Sequence, residues 1–189
     1  MDYRELLPKR NRDEPVNEQW RMRVLNDRSL RCPPPCGALM PQRCPEPVDV
    51  PFDKLPRSGL FSAPLVSVLH RKIFEVIEPH LIGHVAGKCT FVDGRVIEEF
   101  VTLYALPGKG VSWGGVKPES SRQTPCTACG TQYATVWEGQ SGVRAASLMG
   151  RRAALSGRSG SLVADIELAE RIYTLGLPNV DRRSVKIIP

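Results

Sequence analysis

The sequence predicts an α+β fold: a mixed or antiparallel sheet, two main helices, and a zinc-ribbon-like site made by four cysteines. Three observations predict it. The 189 residues include 17 prolines and 16 glycines, a proportion that favours short elements joined by many turns over long helices. Two stretches space their apolar residues for a helix face, while others are runs of β-forming residues between turn signals. Two cysteine pairs, each followed by glycine, stand about 90 residues apart at Cys32/Cys36 and Cys126/Cys129.

The elements are read in chain order. Residues 1–30 lack sustained periodicity and are expected to form a loosely ordered N-terminal arm, with one short strand around Trp20, Met22, Val24 and Leu30. Residues 31–189 then form a single α+β domain pinned by zinc. Proline recurs through residues 32–64 (Pro33, Pro34, Pro35, Pro41, Pro45, Pro47, Pro51, Pro56 and Pro64). It removes amide donors and fixes φ, so this stretch is expected to be an extended, turn-rich connection.

The first helix is expected to start at Ser62 as N-cap, with Pro64 in its first turn. Leu65, Leu69, Ile73, Val76 and Ile77 would line one face, and Pro79 would end it. Thr90–Ala105 reads as a hairpin that turns at Asp93-Gly94. Gly108, Gly110, Gly114 and Gly115 surround Trp113 in a glycine-rich loop, which lacks the Lys-Ser/Thr ending of a phosphate cradle. Tyr133–Trp137 is a predicted strand. Ser161–Ala164 is another, followed by a helix capped by Asp165 with Leu168, Ile172 and Leu175 on its inner face. Gly176 is placed to take the left-handed position after that helix, and Val185–Ile188 closes the chain as a strand.

Composition excludes several function classes. No segment approaches 18 consecutive apolar residues, so no membrane span is expected. The polar start, residues 1–15, lacks the apolar core of a secretory signal. The reading is therefore cytoplasmic, where thiols stay reduced and six cysteines act as ligands or buried groups and not as disulfides. A net charge of +6 permits an acidic partner. Residues 1–31 mix eight basic with six acidic side chains. Gly139–Ala164 is one-sided, with Arg144, Arg151, Arg152 and Arg158 and no acid. No Ser/His/Asp set, paired carboxylates or HExxH stands out, so the chain is not read as an enzyme. His80 and His84 are four apart, but Pro79 and Gly83 argue against a helix there, and both read as ordinary histidines. His70 reads as a solvated residue of the first helix.

The chemistry lies in the cysteines. Zinc takes four thiolates in a tetrahedron, and a tight turn with two cysteines presents two sulfurs at the required separation. A following glycine tolerates positive φ and lets amides approach sulfur. The metal-ligand candidates are Cys32, Cys36, Cys126 and Cys129. The second pair is a strong knuckle sequence. The first encloses three prolines with no amides to offer, so buried cysteines without metal remain open as a reading, as does Cys44 in place of Cys32 or Cys36. Cys89 reads as a small core residue.

The paired CxxCG layout comes with the run Leu162-Val163-Ala164-Asp165-Ile166-Glu167-Leu168-Ala169-Glu170-Arg171-Ile172 and with Leu175-Gly176-Leu177-Pro178-Asn179-Val180. Together these resemble the double-CXXCG motif family of myxobacteria, although the first motif here is CPPPCG where that family has CPxCG. Val48–Pro56 has a similar character. The resemblance implies an immunity protein that binds and neutralises a cognate bacterial toxin, with structural zinc as scaffold. A nucleic-acid-binding zinc ribbon gripping phosphate through Arg144–Arg158 is the alternative, and a structural subunit of a larger complex is a third reading.

Overall fold

The computed structural model describes residues 2–9, 14–34, 36–37, 39–40, 43, 47–106, 109–111, 113–115, 141–148, 150–155 and 161–188. Among them the fold is α+β, with four α-helices and three sheets. The strands are β1 (Tyr3–Pro8), β2 (Val50–Phe52), β3 (Leu60–Ala63), β4 (Val66–His70), β5 (His84–Phe91), β6 (Val96–Ala105), β7 (Trp113–Gly115), β8 (Ser141–Arg144), β9 (Ala153–Leu155), β10 (Leu162–Asp165), β11 (Val180–Ser184) and β12 (Ile187–Ile188). The helices are α1 (Glu18–Asn26), α2 (Arg71–Ile77), α3 (Ala145–Leu148) and α4 (Ile166–Thr174).

A five-stranded sheet, ordered β2-β5-β6-β4-β3, is antiparallel except for the parallel β2–β5 pair. A four-stranded antiparallel sheet is ordered β11-β1-β10-β9. A small third sheet, β12-β8-β7, is mixed. The two larger sheets enclose the main core with α2 and α4: Leu6, Leu60, Leu69, Ile73, Ile77, Leu103, Leu162, Leu168 and Ile172 are all at most 1% exposed. On the other side of the five-stranded sheet, Trp20 and Val24 of α1 pack on Val50, Phe52, Phe61, Val68, Ile97 and Phe100. A strand's side chains alternate between faces. Val66 and Val68 of β4 therefore serve the second core while Leu69 serves the first.

The N-terminal residues depart from their reading as a loose arm. Tyr3–Pro8 is an inner strand, paired with β10 on one side and β11 on the other. The expected strand around Trp20–Val24 is helix α1. Asn17 caps it by accepting the Trp20 amide at 3.0 Å, and Trp20 and Val24, four apart, are the buried positions.

The expected long helix is also half strand. Residues 60–70 form the β3–β4 hairpin, and only Arg71–Ile77 is helical, capped by His70, whose Nδ1 accepts from the Lys72 amide at 3.2 Å. Ala63 pairs with Val66 across Pro64-Leu65, and Leu65 sits at φ 74°. This is the pattern of a type II turn with proline at its first central position.

The Thr90–Ala105 hairpin forms as expected, with Gly94 at φ 86° in the turn, though its first strand begins at His84. Trp113–Gly115, expected in a loop, pairs as β7 with β8. Asp165 caps α4 by accepting the Leu168 amide at 2.9 Å, and Gly176 follows at φ 63°. The closing strand expected at Val185–Ile188 is instead β11, which ends at Ser184, and the two-residue β12. The predicted strand at Tyr133–Trp137 lies outside the described residues. No helix among those described is long and apolar enough to cross a membrane.

Candidate metal centre

The first cysteine pair lies on a loop that closes on itself. After α1, Asp27 caps one turn of 3-10 helix, Arg28–Leu30, by accepting the Ser29 amide at 2.8 Å. Arg31 then bridges antiparallel to Leu39, and the Met40 amide donates to the Leu30 carbonyl at 2.8 Å. Inside these rungs the Cys36 amide donates to the Pro33 carbonyl at 3.2 Å, making a tight turn. Gly37 follows at φ 64°, a conformation that glycine adopts without steric cost. Cys32 is 2% exposed and Cys36 is half-buried.

Two arginines brace this loop from outside. The Arg31 guanidinium donates through Nη1 to the Gly37 carbonyl at 2.9 Å and through Nη2 to the Leu25 carbonyl in the last turn of α1. Arg43 Nη1 donates to the Arg31 carbonyl at 2.9 Å and reaches the Ser29 carbonyl at 3.4 Å. In the sequence Arg31 is one of eight basic side chains in residues 1–31, and its signal as a brace is its place directly before a cysteine loop whose three prolines offer no amides.

Two thiols flanking one tight turn, with a left-handed glycine behind them, suit one half of a tetrahedral thiolate site. The structure places Cys32 and Cys36, two of the four candidate ligands, on this one turn. The other candidate ligands, Cys126 and Cys129, lie outside the described residues, as does Cys44. No group of three or more His, Cys, Asp or Glu side chains is gathered for a metal among the described residues.

Cys89 is apart from this loop. It is fully buried in β5, and its thiol pKa is pushed up to about 12, first by burial and then by the nearby Asp49 carboxylate, against a smaller opposing effect of Arg71. A thiol so held is inert at neutral pH. His70 packs its ring edge-on against Phe100, with centroids 5.3 Å apart, and is not a freely solvated residue. Burial, with Lys72 nearby, lowers its pKa. His80 lies in a short 3-10 turn, and His84, at the start of β5, packs against Phe74 at 6.3 Å.

Of the four arginines proposed to grip phosphate, Arg151 and Arg152 make contacts within the fold. Arg151 is 7% exposed, and its guanidinium donates to the Lys109 carbonyl. Arg152 Nε pairs with Asp165 at 2.5 Å, and its Nη2 with Glu167 at 2.6 Å. Arg158 lies outside the described residues. Compared with family models, with curated proteins and with solved structures, the chain has no match.

Proposed function

We propose that this chain is a non-catalytic immunity protein that binds and neutralises a cognate bacterial toxin, with a structural zinc held by Cys32, Cys36, Cys126 and Cys129. What carries the reading is the coupling, in one chain, of two cysteine–glycine pairs to the ending that runs from Leu162 through the Leu-Gly-Leu-Pro-Asn-Val segment. The closed loop at residues 31–40 supports it, because it presents Cys32 and Cys36 on one turn with Gly37 at φ 64°. Zinc bound there and at the second pair would close about 90 residues of chain and tie the cysteine loop to the second pair. With a net charge of +6, either the toxin's contact face is acidic or the contact lies away from a nucleic-acid groove, since an inhibitor that mimics nucleic acid would itself be acidic.

The test is purification of this chain with the product of each flanking gene, followed by titration calorimetry at low and moderate salt. A one-to-one complex that persists at moderate salt is the expected result, because an interface with an apolar centre is only weakly screened. If no neighbour's product binds, and affinity is instead for single- or double-stranded nucleic acid and falls steeply with salt, immunity gives way to the nucleic-acid reading.

A further inference from the structure

The Cys32–Cys36 loop differs from an amide-lined knuckle in one respect. Pro33 and Pro34 have no N–H, and the Cys36 amide is already committed to the Pro33 carbonyl at 3.2 Å. The loop therefore has few main-chain donors of its own to hold it shut. Among the described residues, the Leu30–Met40 and Arg31–Leu39 rungs, Arg43 on the Arg31 carbonyl, and the guanidinium of Arg31 contribute to its closure. That group joins the carbonyl directly after Cys36 to the carbonyl of Leu25 at the end of α1. The helix it reaches is itself fixed by Trp20 and Val24 in the second core. A planar fork donating to two carbonyls is a task for arginine: lysine carries its charge on a single nitrogen and loses the bidentate geometry.

We propose that Arg31 is the positioning residue of this thiol pair, holding the loop closed before any metal arrives so that Cys32 and Cys36 form a pre-organised half-site. The inference rests on the zinc reading for its purpose, although not for its geometry. A half-site already closed loses less chain entropy on binding than one the metal must fold. The residue that closes it should therefore set metal affinity without touching the metal, as outer-shell partners of ligands do.

The experiment uses the full-length chain, wild type and Arg31→Met, with two readouts. Amide hydrogen exchange on the metal-free proteins reports the loop directly. The Met40 and Cys36 amides should exchange about tenfold faster in the variant, as loss of a charge-assisted hydrogen bond implies. Titration with cobalt(II), followed by its thiolate charge-transfer absorption, reports the metal. The variant should bind about tenfold more weakly, with the wild-type spectrum. Unchanged exchange, or unchanged cobalt affinity in a variant whose loop has opened, overturns the inference. Failure of the wild type itself to bind cobalt overturns the zinc reading instead. Should Arg31→Met fail to fold by circular dichroism, Arg31→Lys carries the test, with an intermediate loss expected in both readouts and wild-type values counting against the inference.

Discussion

Asp165 shows how much one side chain can be asked to do. Its carboxylate ends β10, caps α4 through the Leu168 amide at 2.9 Å, and pairs with Arg152 at 2.5 Å. Burial alone would raise its pKa, but Arg152 and the Leu168 amide outweigh burial and leave it below the ordinary 3.8. A carboxyl with a lowered folded-state pKa adds stability that is fully present above 3.8 and is lost as the pH falls through the lowered value. Asp165→Asn keeps a capping oxygen and removes the charge. The wild type's advantage over this variant should therefore be constant above about pH 5 and shrink below the ordinary carboxylate pKa, measured as urea unfolding free energies from pH 7 to pH 2. A difference that instead grows on acidification would contradict the assignment. Cys89 gives a second check at this scale. With its thiol pushed up to about 12 by burial, it should resist iodoacetamide in the native protein at neutral pH and react only on unfolding, as read by peptide mass spectrometry.

At the scale of elements, the sequence was legible where one period fitted and misleading where two did. The 90–105 hairpin and the capped helix at 165–176 each had one consistent pattern, with Gly94 and Gly176 at the positive-φ positions that their turns demand. In residues 62–77, Leu65, Leu69 and Ile73 satisfy a helical spacing. Yet Val66 and Val68 alternate with Leu69 in the period of a strand buried on both faces, and a strand of that kind carries no polar face to reveal it. Tertiary packing decided it, because β4 is sandwiched between β3 and β6. Tyr3–Pro8 was missed for another reason: its partners, β10 and β11, lie more than 150 residues away, and local periodicity carries no trace of them. Next to the parallel β2–β5 pair, the chain passes too close to Gly87 to leave room for a side chain. A Cβ on Gly87 would lie 2.6 Å from Thr102 Oγ1 and 2.8 Å from the Val48 carbonyl oxygen, the two atoms that are themselves hydrogen-bonded at 2.6 Å. Gly87→Ala should therefore cost about 1–3 kcal/mol by overpacking. It should also raise hydrogen exchange at the β2 residues before the rest of the sheet. A variant as stable as wild type would mean that the strand tolerates a shift the present packing forbids.

For the molecule as a whole, the question is how the parts serve one activity. Two sheets and two helices form the main core, a second core anchors α1, and the cysteine loop follows α1 after one 3-10 turn, so a metal there would tie that loop to an already rigid body. The Cys–Gly spacing names Cys32 and Cys36 as candidate ligands, and their shared turn is what the structure adds. The brace on that turn was not legible, because an arginine's carbonyl partners are set by how the loop closes and by where α1 ends. If zinc joins the two pairs, removing it with a strong chelator, or substituting Cys126→Ser or Cys129→Ser, should lower stability by several kcal/mol, on the order expected for structural zinc. An unchanged melting temperature with zinc retained would place the metal elsewhere. The central claim is neutralisation of a toxin, and the most direct measurement is survival of a heterologous bacterium expressing each gene that flanks this one, with and without this chain. The account predicts that one neighbour kills and that co-expression restores colony counts. If no neighbour is toxic, or if killing persists while this chain is soluble and zinc-loaded, the immunity reading is contradicted.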